Sequence, residues 1–255
     1  MTISDGAGGS AGDITIGGNV LSYNNEGKSV PGAQTLIGAN IRVTGYMDAD
    51  QKGSGVSYPG LVPIAIQGSG SVRVDGYVTA SRTVDSGIMT GDHSVRIQGA
   101  SVTVGGTSGG YSVRTYNACV NDAAANISLI ATAGDITVSG GYDAWSTNGA
   151  TFGTVTNIAS GNITIGSLDR NRFRAISLQA GGQIRVMGVI TNFTVSESPT
   201  KKITFPAGSV IGNHIYYDDD QNTAYPLTGE YAIWVAADTG NKLKAQPKGS
   251  VFRFR

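Results

Sequence analysis

Short runs in which one polar residue separates two apolar ones recur along most of the chain, from Ile14 to Val210. They are "DITIGG" at Ile14, "NIRVTG" at Ile41, "SVRVDG" at Val72, "SVTVGG" at Val102, "DITVSGG" at Ile136, "NITIGS" at Ile163, "QIRVMG" at Ile184 and, more loosely, "SVIGNH" at Val210. The intervals run from 21 to 34 residues with a mean of 28. A second array precedes the first by four to six residues: "TLIGA" ending at Ile37, "IAIQG" at Ile66, "VRIQG" at Ile97, "ISLIA" at Ile130, "TNIAS" at Ile158, "ISLQA" at Leu178 and "ITFPA" at Phe205. Alternation with period two, bounded by Gly, Asn and Ser, predicts strands. No long window carries a helical spacing of apolar residues, so little helix is expected.

A strand, a bend and a second strand, repeated at a near-constant period, make one coil of a solenoid better than they make a sandwich, whose strands are joined by hairpins. In such a coil Ile, Val and Leu point inward and stack on their equivalents one strand spacing away, about 4.8 Å. Gly and Ser serve the corners, through positive φ or through tight packing. The expected fold is all-β: a single-stranded parallel β-helix of about seven to eight coils, on the order of 38 Å long at that spacing. It spans residues 1–215, and residues 216–255 form an aromatic-rich capping or assembly segment.

The segments "ISLIATAGDITVSGG" (127–141), "IASGNITIG" and "AISLQAGGQIRVMGVITN" (175–192) give the chain a likeness to a known family. Over roughly residues 12–215 it resembles the filamentous-haemagglutinin type of right-handed parallel β-helix, found in secreted adhesins and autotransporter passenger domains. The resemblance implies a right-handed coil, an extracellular or cell-surface location and a structural or adhesive role. This chain is shorter than many such proteins and carries no visible secretion module.

Composition narrows the choices. Glycine accounts for 38 of 255 residues, without the three-residue period of collagen. Charged residues are only 14% and hydrophobic ones 40%, which favours a folded core over disorder. The formal net charge is +0 with no basic run, so nucleic acid is not an expected partner. No apolar stretch is long enough for a transmembrane helix, and no signal peptide is visible. The one cysteine, Cys119, cannot form an internal disulfide and reads as a structural thiol.

Several groups of residues carry candidate chemistry. The middle residues of the first array, Thr15, Arg42, Arg73, Thr103, Thr137, Thr164 and Arg185, are expected to form one exterior ladder, with Arg42 and Arg73 finding partners in Asp48, Asp75 or an anionic glycan. One threonine per coil is too few for an ice-binding face. Tyr46, Tyr77, Tyr142, Leu168 and Ile190 follow the glycines and read as a stack on the third side of the coil, facing inward or, if outward, offering rings to sugars. Glycan contacts are therefore placed at Arg42, Arg73, Tyr46, Tyr77 and Trp145.

Should the protein be an enzyme, Asp143 and Asp169 with Arg170 make its best catalytic constellation, because glycosidic cleavage on a β-helix needs carboxylates from successive coils. Asp218, Asp219 and Asp220 form the one weak metal candidate, since hard cations take oxygen ligands. His93 and His214 lack zinc spacing, and no cofactor is expected. Tyr216, Tyr217, Tyr231, Trp234, Phe252 and Phe254 are assigned to the cap or to assembly, because an open solenoid end exposes strand edges over an apolar core. The leading expectation is a non-enzymatic structural or adhesive solenoid, with self-association into a homo-oligomer or head-to-tail filament and a cell-surface glycan as partners. A polysaccharide lyase or glycoside hydrolase, and a trimeric phage tail-spike fragment, are the alternatives.

Overall fold

The computed structural model describes residues 1–4, 12–24, 34–53, 64–84, 94–117, 126–146, 153–169, 175–182, 184–186, 190–191, 209–211, 226–227, 231–236 and 242–247. All regular elements among them are strands. Three sheets run along the solenoid, and the chain visits them in turn. The first contains Thr2–Ser4, Gln34–Gly38, Ile64–Gly68, Val95–Gly99, Ile127–Ala131, Thr154–Ala159 and Ala175–Ala180. The second runs from Ile14–Ile16 through Ile41–Val43, Ser71–Val74, Ser101–Val104, Ile136–Val138, Ile163–Ile165 and Ile184–Val186 to Ser209–Ile211. Val20–Asn24, Met47–Gly53, Val78–Val84, Tyr111–Asn117 and Gly141–Ser146 form the third. Pairing within the three sheets is parallel until Pro226–Leu227, which joins Ser209–Ile211 antiparallel. Two further pairs complete the described strands. Leu168–Asp169 pairs with Ile190–Thr191 in parallel, and Tyr231–Ala236 pairs with Lys242–Pro247 antiparallel.

The predicted columns are present. Ile14, Ile41, Val72, Val102, Ile136, Ile163 and Ile184 pair in that order, each with the next. All seven are buried, and a second inward column of the same sheet runs Ile16, Val43, Val74, Val104, Val138 and Ile165. Burying each such aliphatic side chain contributes about 1.5–3 kcal/mol, which is why a chain with so little charge holds a narrow core together. The outward ladder Thr15, Arg42, Arg73, Thr103, Thr137, Thr164 and Arg185 also pairs residue by residue as expected. Val210 does not extend the inward column: it pairs with Arg185, and Ile211 pairs with Val186.

The second array needs a correction of face. Leu36, Ile66, Ile97, Leu129 and Leu178 are buried in one column, whereas Ile37, Ile130 and Ile158 belong to the outward column with Gln67, Gln98 and Gln179. A one-residue shift in a strand exchanges its faces, and an apolar pair such as Leu36–Ile37 leaves the choice to register. Phe205 lies outside the described residues.

Many of the corner glycines work through close approach. A Cβ at Gly166 would sit 1.7 Å from the Ser139 carbonyl oxygen on the neighbouring coil, so no side chain fits there. Positive φ is found at Gly18 (φ 148°) and at an exposed excursion where Gly109 and Gly110 (φ 60° and 92°) turn a small hairpin closed by Ser108 and Tyr111. That hairpin adds residues to its coil, and the register shifts between Tyr111 and Val113. The buried Ser112 spans the bulge: its Oγ donates to the Gly106 carbonyl at 2.7 Å and accepts from Gly140 N–H at 2.7 Å.

Candidate functional site

The bulge at Ser112 changes the tyrosine series read from the sequence. Tyr142 pairs with Val113 and continues the column of Met47 and Val78, fully buried, while Tyr46 and Tyr77 stand one residue earlier, at the corner between the second and third sheets. Strand spacing sets equivalent residues about 4.8 Å apart along the axis. Two tyrosines at one position of adjacent coils must therefore stack, and the rings of Tyr46 and Tyr77 lie 4.5 Å apart and within 10° of parallel. The backbone beneath them is fixed by ladder bonds, Val20 N–H to Tyr46 O at 2.9 Å and Met47 N–H to Tyr77 O at 2.9 Å. Asn19 precedes them in the column, its Oδ1 accepting Tyr46 N–H at 3.1 Å.

A third tyrosine, Tyr23, joins this corner. It is half exposed, and its hydroxyl donates to Asp48 Oδ2 at 3.4 Å. Burial, then the negative charge of Asp48 and the neighbouring Tyr46, push the Tyr23 phenol up to about 12. Burial, Asp48 and Tyr46 likewise raise Tyr77 above its ordinary value. Both phenols stay protonated across the physiological range and remain donors beside a carboxylate acceptor. Ring surface, hydroxyls and a carboxylate on one rigid corner form the kind of surface that holds a sugar: apolar contact for its C–H face and hydrogen-bond partners for its hydroxyls. Sequence reading included Tyr46 and Tyr77 but missed Tyr23, because its approach to Asp48 depends on the third sheet, which neither repeat array marks.

On the second sheet, Arg42 and Arg73 share one carboxylate. Arg42 holds Asp75 Oδ2 through Nη2 at 2.9 Å and Nε at 3.2 Å, and Arg73 Nε donates to Asp75 Oδ1. The hydrogen bonds from Arg73 and then Arg42 hold the Asp75 carboxyl below its ordinary value. Sequence reading offered Asp48 or Asp75 as the partner, and Asp75 fills that role; the like-charged neighbours are reconciled by an acid set between them.

The residues of the catalytic constellation are placed differently from one another. Asp143 is fully buried, on the outward side of the third sheet, and its Oδ2 lies 3.0 Å from Arg114 Nε on the preceding coil. The Arg114 guanidinium also sits 5.0 Å above the Tyr116 ring. Asp169 pairs with Thr191 in the short parallel pair, and only its backbone is described. Trp145 pairs with Tyr116, and Tyr231 and Trp234 lie in the antiparallel hairpin, again as backbone. Arg170, Asp218, Asp219, Asp220, Tyr216, Tyr217, Phe252, Phe254, Cys119, His93 and His214 lie outside the described residues. Comparison of the chain with family models, curated proteins and solved structures returns no match.

Proposed function

We propose that this chain is an extracellular structural and adhesive β-solenoid, a stiff rod that displays glycan-binding side chains and carries out no chemistry of its own. The observation that carries the reading is the stacked Tyr46–Tyr77 pair with Tyr23 and Asp48, a sugar-compatible corner built on backbone that parallel ladders hold in place. A rigid scaffold lowers the ordering cost of binding, which suits a surface that must hold a polymer under load. Two facts favour display over cleavage. Asp143, the first carboxylate of the enzymatic alternative, is closed off from solvent and neutralises Arg114. Asp75 is likewise engaged by two arginines. The resemblance to adhesin-type helices points the same way.

The test is retention on an array of neutral and acidic cell-surface glycans. The parent protein should be retained on a subset, and Tyr46→Ala/Tyr77→Ala should lose at least tenfold in affinity while keeping its β-rich circular dichroism. Retention that survives this double substitution removes the corner as the site, and a parent silent on every glycan removes the adhesive role.

A further inference from the structure

The three faces of the solenoid differ in what they offer a neighbour. The second sheet is narrow, and three of its outward ladder positions are arginines. The third carries Asp48, Asp50, Arg114 and Asp143 on its outward side. Among the described residues, the exposed Leu21 and Tyr23 of the third sheet stand beside Asp48 and Asp50, whereas the first sheet presents two outward columns. One runs Ile37, Gln67, Gln98, Ile130, Ile158 and Gln179; the other, two residues earlier, is Thr, Ala and Ser with Arg96 as its single charge. Ile37 and Ile158, 39% and 38% exposed, are two of the large apolar side chains this protein leaves in water.

We infer that this face is where two copies of the chain pack, sheet on sheet, around Ile130 and Ile158. Three arguments select a second copy as the occupant. First, identical faces bring identical charges together, and like charges in contact are costly; among the described residues this face has one ionisable residue where the others have several. Second, its side chains repeat at the strand spacing, about 4.8 Å, and a copy of the same sheet repeats with the same period, so side chains interdigitate along the whole contact.

Third, a two-fold axis parallel to the strands and midway between Ile127–Ala131 and Thr154–Ala159 satisfies every position. It sets Ile130 against Ile158 of the second copy, Ser128 against Thr156 and Gln98 against Gln179. Arg96 then faces the Ser177 position, and the two Arg96 residues are about three strand spacings apart, roughly 14 Å, beyond the screening length at physiological salt. The contact is isologous and closes on itself. Its four strands cover about 19 Å by 16 Å per copy, which places it among small, weak interfaces. The dimer should therefore depend on concentration.

Sedimentation of the full chain over a concentration series up to about 1 mM tests this. The parent should shift from monomer to dimer. Ile158→Lys should hold it monomeric, with Ser128→Lys as a second probe on the same face, whereas Thr137→Lys on the second sheet should dimerise like the parent. The geometry makes one sharper demand: Ile130→Lys/Ile158→Glu should dimerise again, because each lysine meets a glutamate, and Ile130→Lys/Ile158→Lys should not. A parent that stays monomeric throughout, dimers that persist in Ile158→Lys with unchanged circular dichroism, or equal behaviour of the two double variants would overturn the inference. The inference rests on the fold and not on the adhesive reading. Glycan retention by monomeric Ile158→Lys separates the failure of one from the failure of the other.

Discussion

The phenol of Tyr142 meets the side chain of Asn157 inside the solenoid, its hydroxyl accepting a hydrogen bond from Asn157 Nδ2, and both residues are fully buried. Asn157 interrupts a column otherwise made of Leu36, Ile66, Ile97, Leu129 and Leu178. The pair ties the third sheet to the first across the core, and burial raises the Tyr142 phenol far above its ordinary value, keeping it neutral. Breaking one partner leaves a polar group in the core without its bond, whereas replacing both with apolar groups removes the need. Tyr142→Phe and Asn157→Leu should each lower unfolding free energy by about 1–3 kcal/mol. Their combination should cost less than the sum, and chemical denaturation of all four species measures the coupling.

The ion pair of Arg114 and Asp143 is unequal, because the aspartate is fully buried and the arginine is 33% exposed. Removing the arginine strands a carboxylate away from water; removing the carboxylate leaves a guanidinium that solvent reaches. Arg114→Met should therefore cost about 3 kcal/mol and Asp143→Asn about 1 kcal/mol, read from denaturant midpoints. Asp143→Asn should leave glycan retention unchanged. Loss of a glycan-cleaving activity in that variant would instead restore the enzymatic alternative.

At the bulge, Ser112 replaces the ladder bonds that the inserted hairpin breaks. Ser112→Ala leaves the Gly140 N–H and the Gly106 carbonyl without this partner and should destabilise by about 1–3 kcal/mol. Amide exchange locates the effect: Gly140 should lose protection while Val113 and Ile136 keep theirs.

The tyrosine corner has a pH signature at the alkaline end. A phenol raised to about 12 in the folded state favours the neutral form, so its contribution is complete below the ordinary tyrosine value near 10 and fades as pH rises from there toward 12. Ultraviolet titration of phenolate formation should show Tyr23 as a late-ionising group. Asp48→Asn removes the negative charge and replaces one of its two acceptor oxygens with a donor, and should bring that midpoint down. An unchanged midpoint would place Asp48 too far away to act.

Much of this architecture was legible in the order of residues, and the parts that were not share a cause. Period-two alternation placed Ile41, Val72, Val102 and Ile136 in one column because each stands alone between polar neighbours, so only one face can be apolar. Leu36–Ile37 and Leu129–Ile130 are apolar on both faces, and only pairing decides which residue enters the core. Tyr142 was grouped with Tyr46 and Tyr77 by its distance from a glycine, and the bulge at Ser112 moved it one place inward. Ladder logic set Arg42 beside Arg73 and called for an acidic partner, but the choice of Asp75 over Asp48 came from the coordinates. The approach of Tyr23 to Asp48, and of Asp143 to Arg114, required the third sheet, whose strands carry few aliphatic residues to announce them.

All of these relationships descend from like residues lying over one another in successive coils. Methyl and amide nuclear Overhauser contacts in the isotope-labelled protein test this directly. The account predicts an unbroken chain of contacts from Val102 to Ile136 to Ile163 to Ile184, with the amide-to-α pattern of parallel strands. Close α-to-α contacts between these strands, or methyl contacts that skip a member of the series, would contradict it.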